Sequence, residues 1–336
     1  MRVLLTGATG FIGRRLADHL LARGQPFTAL VRDHTDPVAT ALAATRLARI
    51  VPGDVTTGAG LVPALRDADC VIHLAGATTA AATADFFRVN AWGTRLLCAA
   101  ASRQARPPRI VYCSSLAAAG PTTAGRPRAE HQSPTPVSAY GRSKLAGEHA
   151  LRGHCLTLPG IVIRPPIVYG PGDHDFLPAL TAMVRLGAVL TCGSGERWYS
   201  LIHVDDLCRA LLAATEHGHL LRADSPTAGV YHVSDGVEHN LRALATRLAT
   251  ALGRRPPRLL AVPPAVAALA AHAAHALAAP RGRAPMLSPD KLREARCPAW
   301  TCTSDRAAAE LGFTAEVDLA AGLSGLLAGR VGSDRH

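Results

Sequence analysis

Lysine and arginine together number 36, yet only Lys144 and Lys291 are lysines. Lys144 lies in SAYGRSKLAGEHA (Ser138 to Ala150), four residues after Tyr140, so on a helix the two side chains share a face. A phenol that ionises near pH ~10 is a poor acid–base group at neutral pH until a neighbouring cation favours its phenolate. A compact ammonium with rotatable donors fits between a phenol and a ribose hydroxyl, where the wide planar guanidinium of arginine would fit poorly. On its own the pair equally describes a surface contact between neighbouring helix turns. Ser115 changes that weighting, because CSS (Cys113 to Ser115) ends an apolar strand-like run and can bring a hydroxyl to the oxygen that Tyr140 would protonate or deprotonate.

Proton transfer to a carbonyl oxygen requires a hydride source, and the beginning of the chain has the turn for one. TGATGFIG (Thr6 to Gly13) follows RVLL and opens a helix. Gly7 permits the tight turn, Gly10 lets backbone amides approach a pyrophosphate, and Gly13 allows close helix–strand packing, with Thr9, Phe11 and Ile12 in the same loop. Three spaced glycines alone describe any glycine-rich turn; their place after the first strand of a repeated strand–helix pattern points to dinucleotide binding. The second strand ends in VRD, with Arg32 where an NAD site usually has a carboxylate. A guanidinium suits a 2'-phosphate, so NADP(H) is preferred and NAD(H) remains possible. The competing reading makes Arg32 a solvated loop residue and gives the ribose to Asp33. In GDV, Asp54 can accept from the adenine amino group while Val55 lines the ring. In HLAG, Leu74, Ala75 and Gly76 let backbone approach the cofactor, and His73 reads as a satisfied core group.

Tyr140 donating or removing the proton and a nicotinamide carrying the hydride together make carbonyl–alcohol chemistry. A serine or cysteine hydrolase is disfavoured, since no GxSxG elbow is present.

These groups need elements that bring them to one place. Through the first half, apolar runs (RVLLT, FTALVR, ARIVPGDV, CVIHLAG, RIVYCSS) alternate with helical patterns. That alternation predicts an α/β fold with a doubly wound parallel sheet and ligands at the carboxyl ends of its strands. After IVIRPPIVYGPGD the pattern loosens into a smaller substrate-covering region. The expected division is a dinucleotide-binding domain over 1–165, with return segments about 198–235, and a mainly substrate-binding domain over 166–330.

Composition limits the function classes. With 336 residues, 48% hydrophobic and 18% charged, the chain reads as an ordinary globular protein. Its net charge of +11 comes from singly scattered arginines without interleaved aromatics, so no nucleic-acid partner is expected. Eight cysteines form no CxxC pair; they read as reduced thiols in a cytoplasmic protein, with no metal site. No secretory leader is expected. Residues 261–280 are alanine-rich but carry Pro263, Pro264, His272 and His275, so a helix outside the membrane is expected and no membrane partner. The final GRVGSDRH reads as a frayed tail.

Taken in order, TGATGFIG, GDV, HLAG, VNAWGT, CSS, YGRSK, RPPIVYGPGD, LIHVDDL and LGF resemble the extended short-chain dehydrogenases/reductases, the NAD-dependent epimerase/dehydratase group, over nearly the whole chain. The resemblance implies a Rossmann core with a small C-terminal substrate domain and catalytic roles for Ser115, Tyr140 and Lys144. It also implies cofactor contacts from Asn90 and from Pro166, Ile167 and Val168, and a homodimer built on the helices around Phe86 to Arg103 and Ala139 to Arg152. Thr78, Ser115, Leu116, Ala117 and Tyr199 are expected around a small-molecule substrate.

Departures from the family pattern bear on that substrate. The 4,6-dehydratases place an acidic pair where Leu116 and Ala117 stand here, and the nucleotide-sugar epimerases place a diphosphate-binding arginine where Tyr199 stands, Arg197 being displaced by two. The VRD ending is similar to that of the NADPH-using dihydroflavonol and cinnamoyl-CoA reductases. A reductase, or the reverse dehydrogenase, of a partly apolar carbonyl compound is therefore favoured. A sugar or nucleotide-sugar epimerase is the alternative, and a non-catalytic NADP-binding sensor a third reading that Ser115, Tyr140 and Lys144 argue against.

Overall fold

Strand-forming runs with no polar alternation, such as VLLT, CVIH and GIVIR, must bury both faces, which a parallel sheet covered on both sides allows. The computed structural model of the protein, which describes residues 1–278 and 288–324, has that sheet. Strands β1 (Val3–Thr6), β2 (Phe27–Val31), β3 (Ala48–Pro52), β4 (Cys70–His73), β5 (Arg109–Cys113) and β6 (Gly160–Arg164) join β11 (Val230–His232) in the order β11-β6-β5-β4-β1-β2-β3. All of its pairings are parallel.

Successive side chains of each strand enter opposite cores. Leu5, Ile72, Val111 and Ile163 pack with α1 (Phe11–Ala22) and α9 (Val204–Glu216). On the other side Leu4, Val71, Ile110 and Val162 pack with α3 (Leu61–Leu65), α5 (Thr94–Ala101) and α7 (Ala139–Arg152). α2 (Pro37–Ala43), α4 (Thr83–Phe87) and α6 (Leu116–Ala119) complete this half, with a π-helical stretch, Arg88–Gly93, between α4 and α5. Asp205 ties α9 to α1 by accepting from Arg15 at 2.5 and 2.9 Å and from His19 at 2.8 Å. Those donors hold its carboxyl near a pKa of about 2 against the opposing effect of burial.

The rest of the described chain packs around a separate core containing Leu177, Leu180, Leu244 and Leu248. It comprises β7 (Ile167–Tyr169) paired with β10 (Leu201–His203), α8 (Phe176–Arg185), β8 (Ala188–Cys192) paired with β13 (Arg258–Val262), and β9 (Trp198–Tyr199) between β12 (His239–Asn240) and β14 (Ala299–Trp300). α10 (Leu241–Ala251), α11 (Pro264–Ala278) and α12 (Pro289–Ala295) surround these strands, while α13 (Asp305–Leu311) returns to the core of the seven-stranded sheet through Ala307 and Leu311. Residues 329–336, expected to fray, lie outside the described residues. No helix among the described residues is long and apolar enough to cross a membrane.

Candidate active site

The chain order of the sheet reverses between β1 and β4, and ligands of open α/β sheets bind at the carboxyl ends of strands beside such a point. There Gly7 turns at φ +75°, and a Cβ on it would lie 2.7 Å from the Ala75 amide nitrogen. A Cβ on Gly13 would lie 2.0 Å from the Gly7 oxygen, so glycine is what lets α1 start against β1. Gly10 caps α1 without a side-chain hydrogen bond, and no acidic residue occupies the first turn. This donor set fits a diphosphate. Thr9, Phe11 and Ile12 are half-buried around it, and Phe11 meets the ring of His174 edge-on at 6.4 Å.

At the end of β2, Asp33 closes its own turn by accepting from the Thr35 amide at 2.8 Å and the Thr35 hydroxyl at 2.6 Å. Those bonds hold its carboxyl below the ordinary range. Arg32 beside it is exposed. Asp54 accepts from the Thr56 amide at 2.7 Å, while Val55 is buried beneath Gly93. Leu74 and Ala75 are half-buried, Gly76 exposed, and Pro166, Ile167 and Val168 half-buried beside β10.

Ser115, Tyr140 and Lys144 converge on the same edge. Ser115 caps α6 and accepts from the Ala117 amide at 3.1 Å; Ser138 caps α7 in the same way through Gly141 at 2.9 Å. Burial pushes the Tyr140 phenol above its ordinary pKa, opposed by the neighbouring Ser115 hydroxyl. Lys144 is buried, donates to the Cys113 carbonyl at 2.6 Å and stands 4.5 Å from the centre of the Tyr112 ring. Burial lowers its pKa to about 8, with nearby Cys113 and Glu148 opposing. Lys144 is turned toward the end of β5, where Cys113 offers a carbonyl that its ammonium can bond.

Behind these groups runs a hydrogen-bonded chain that the sequence reading did not find. The Ala75 amide donates to Thr6 Oγ1 at 3.2 Å, Thr6 Oγ1 meets His73 Nδ1 at 2.7 Å, and His73 Nε2 meets Thr94 Oγ1 at 3.1 Å. Thr94 donates to the Asn90 carbonyl at 2.7 Å, which assigns the imidazole proton to Nε2. Burial, then the charge of Lys144, lower the His73 pKa to about 3, so it is the neutral core group expected. Asn90, in the π-helical stretch, accepts from the Ala77 amide at 2.8 Å and donates to the Ala77 carbonyl at 3.0 Å and to Ser143 at 2.9 Å. Ser143 in turn donates to the Tyr140 carbonyl at 2.7 Å. The Asn90 side chain thus fixes α7 to the loop after β4, so its place is behind the cofactor edge.

Further along the same face of α7, Glu148 takes both nitrogens of buried Arg164 at 2.8 and 2.6 Å and the Ser114 hydroxyl at 2.5 Å. The spacing Tyr140, Lys144, Glu148 repeats every fourth residue, a signal that was available in the sequence.

On the substrate side, Leu116 and Ala117 are buried, and Leu116 and Ala119 pack against Cys302 and Trp300. They form the wall behind Ser115 and not an open apolar surface. Thr78 is exposed; Tyr199 is half-buried, its ring 5.8 Å from Phe176. Arg197 is buried and donates to three carbonyls, those of Ala295 at 3.3 Å, Glu196 at 3.0 Å and Cys192. Three residues of α12, to which the sequence assigned no role, meet the start of α7. Asp290 accepts from the amides of Ala139 at 2.6 Å and Tyr140 at 3.1 Å, Glu294 accepts from Ser138 at 2.6 Å, and the Lys291 ammonium lies 5.8 Å from the Tyr140 ring centre.

A Rossmann sheet with these features belongs to an NAD(P)-dependent enzyme. The chain is a member of the NAD dependent epimerase/dehydratase family, whose pattern residues 3–224 match. It is 31% identical to the 4-hydroxy-2-methyl-3-oxo-4-farnesyl-3,4-dihydroquinoline-1-oxide ketoreductase of Stigmatella aurantiaca, over 97% of this chain and 96% of that protein. It is 32% identical to the ceramide reductase of Caulobacter vibrioides, over 69% of this chain and 64% of that one. Among solved structures, MoeE5 in complex with UDP-glucuronic acid and NAD superposes with a TM-score of 0.75 at 25% identity, covering 99% of this chain and all of that one.

Proposed function

We propose that the protein is an NADP(H)-dependent oxidoreductase that reduces a ketone or aldehyde of a small, partly apolar metabolite, or oxidises the corresponding alcohol. When bound, the cofactor supplies or accepts the hydride. In reduction Tyr140 Oη gives its proton to the carbonyl oxygen, which the Ser115 hydroxyl holds in place. Burial keeps the phenol protonated and so able to give a proton, and a neighbouring cation is needed to favour the phenolate left behind. Lys144, largely protonated at neutral pH, keeps positive charge beside the phenolate that forms.

The observation that carries the choice of substrate is Arg197, whose guanidinium is committed to three backbone carbonyls and so is turned away from a diphosphate. The ketoreductase and the ceramide reductase named above support an apolar body around the carbonyl. NADP(H) over NAD(H) is supported by exposed Arg32 next to an Asp33 already engaged with Thr35. Titration of Arg32→Ala should weaken NADPH by about 1–3 kcal/mol relative to NADH; equal loss for both nucleotides would return Arg32 to an ordinary loop residue.

The epimerase reading keeps one observation of its own, the Lys291 ammonium near Tyr140, together with the likeness to MoeE5. Thermal-shift titration with NADP present separates the two. Saturable stabilisation by UDP, dTDP or their sugars, with NAD(H) released only on denaturation, favours epimerisation; exchangeable NADP(H) and no response to the nucleotides favours the reductase.

We also propose a homodimer. Between α4, the π-helical stretch, α5 and α7 lies a cleft of about 720 Å³ lined by Phe87, Trp92, Arg95 and His149, and Trp92 is exposed with Arg95 stacked 5.4 Å above its ring. Sedimentation of Trp92→Glu tests it: a species of unchanged mass would place any dimer elsewhere. A cytoplasmic location is supported by the eight free thiols, six of them buried.

A further inference from the structure

α11 is inverted. Its small residues Ala267 and Ala271 are buried against Cys192 and Leu292, while its bulky ones, Val266 and Leu269, face outward. A helix that only had to close a core would do the opposite. The adjoining strands repeat the pattern. Leu190 of β8 and Leu260 of β13 are register partners, both exposed, and Leu186 stands exposed in the turn that leads into β8. These five side chains are 46 to 83% exposed.

The described segments that carry them hold charge of one sign. Residues 176–195 and 239–278 contain no aspartate or glutamate, while the second stretch contains Arg242, Arg247, Arg254, Arg255 and Arg258. Arg254 donates to the Arg185 carbonyl at 3.2 Å and the Arg258 amide to the Gly187 carbonyl at 2.9 Å. Those two bonds gather Arg185, Arg254, Arg255 and Arg258 about Leu186. All four are exposed, and none has an ion pair among the described residues.

We propose that this face of the small lobe docks on an anionic lipid bilayer. Exposed leucine and valine beside unpaired arginine is the composition of a surface that rests in the headgroup region. The described part of α11 has 15 residues, which at ~1.5 Å per residue is too short to span a hydrocarbon core of ~30 Å and suits it to lie along the surface. A second copy of the chain is the poorer occupant, because a symmetric contact would bring the same arginines face to face. This departs from the expectation of no membrane partner, which weighs residues 261–280 only as a spanning segment. The docking stands whatever the substrate is.

Flotation of the full chain with phosphatidylcholine vesicles, with and without phosphatidylglycerol, tests the proposal. The protein should rise with the anionic vesicles at low salt and stay behind with the zwitterionic ones. Leu186→Asp combined with Leu260→Asp, and separately Arg254→Glu combined with Arg258→Glu, should each weaken that partition by roughly tenfold or more, with melting temperature and turnover of a soluble carbonyl substrate unchanged. Failure of the unaltered chain to float with anionic vesicles overturns the proposal. So does flotation of both variants like the unaltered chain, or a concentration-dependent oligomer that both variants abolish.

Discussion

α7 and α11 break the usual helix pattern in opposite directions. α7 buries Ser143, Lys144 and Glu148, whereas α11 buries alanines and exposes Val266 and Leu269. Each breach is tied to what the helix faces. α7 turns polar groups inward because the sheet edge supplies partners for them: Cys113 for Lys144, Arg164 and Ser114 for Glu148, Asn90 for Ser143. α11 turns Val266 and Leu269 outward, exposed among the described residues. Local rules fail where a surface has a task other than folding, and the direction of the failure says whether that task is chemical or adhesive.

The contrast can be broken most severely at Glu148. Glu148→Ala leaves the Arg164 guanidinium buried without its carboxylate, so stability should fall by about 3–5 kcal/mol, seen as a clearly lowered melting temperature. A melt within a degree of the parent would mean that α7 does not depend on its buried charge. Tyr140→Phe should keep fold and cofactor binding while turnover falls by roughly a hundredfold or more, about 2.7 kcal/mol in the barrier. Near-normal turnover on an identified carbonyl substrate would remove the phenol from the reaction.

His73, under α7, sets a pH dependence. Its folded pKa of about 3 lies below the value of ~6.5 in an unfolded chain, so below that value the unfolded state takes up a proton that the folded state refuses. The contribution is whole above pH ~6.5 and is lost on acidification toward pH 3, at about 1.4 kcal/mol per pH unit. His232, similarly buried and similarly shifted, adds a second such slope. Denaturant melts of His73→Asn between pH 7 and 4 should lose about half of the combined slope; an unaltered slope would assign the acid sensitivity elsewhere. The smallest effect belongs to α11. Leu269→Gln should change stability by less than ~0.5 kcal/mol, and a large loss would show that Leu269 is packed after all.

The fold and the meeting of Ser115, Tyr140 and Lys144 at one sheet edge were legible because their signals are local. TGATGFIG places its glycines where any Cβ at Gly7 or Gly13 collides with backbone, and YGRSK puts phenol and ammonium on one helical face. What was missed lies between residues far apart in the chain. Thr6, His73 and Thr94 are joined only by the pairing of β1 with β4 and the packing of α5, and the link from Asp290 to Tyr140 crosses 150 residues. The bond from Lys144 to the Cys113 carbonyl was out of view for the same reason, since helix and strand meet only in the fold. Leu116 and Ala117 looked like open substrate wall because Cys302 and Trp300, which pack around that helix, come from near the other end of the chain.

The hold of α12 on α7 has a consequence for the order of events during synthesis. The first amides of a helix have no partner within it, and those of Ala139 and Tyr140 are met by a carboxylate that emerges 151 residues after the first of them. The sheet can form while the ribosome is still translating, but until Asp290 clears the exit tunnel the helix bearing the phenol has only its Ser138 cap, and the amides of Ala139 and Tyr140 wait for their partner. On the chemistry proposed above, a nascent chain stalled short of α12 would have its glycine turn in place before the start of the Tyr140 helix is fixed.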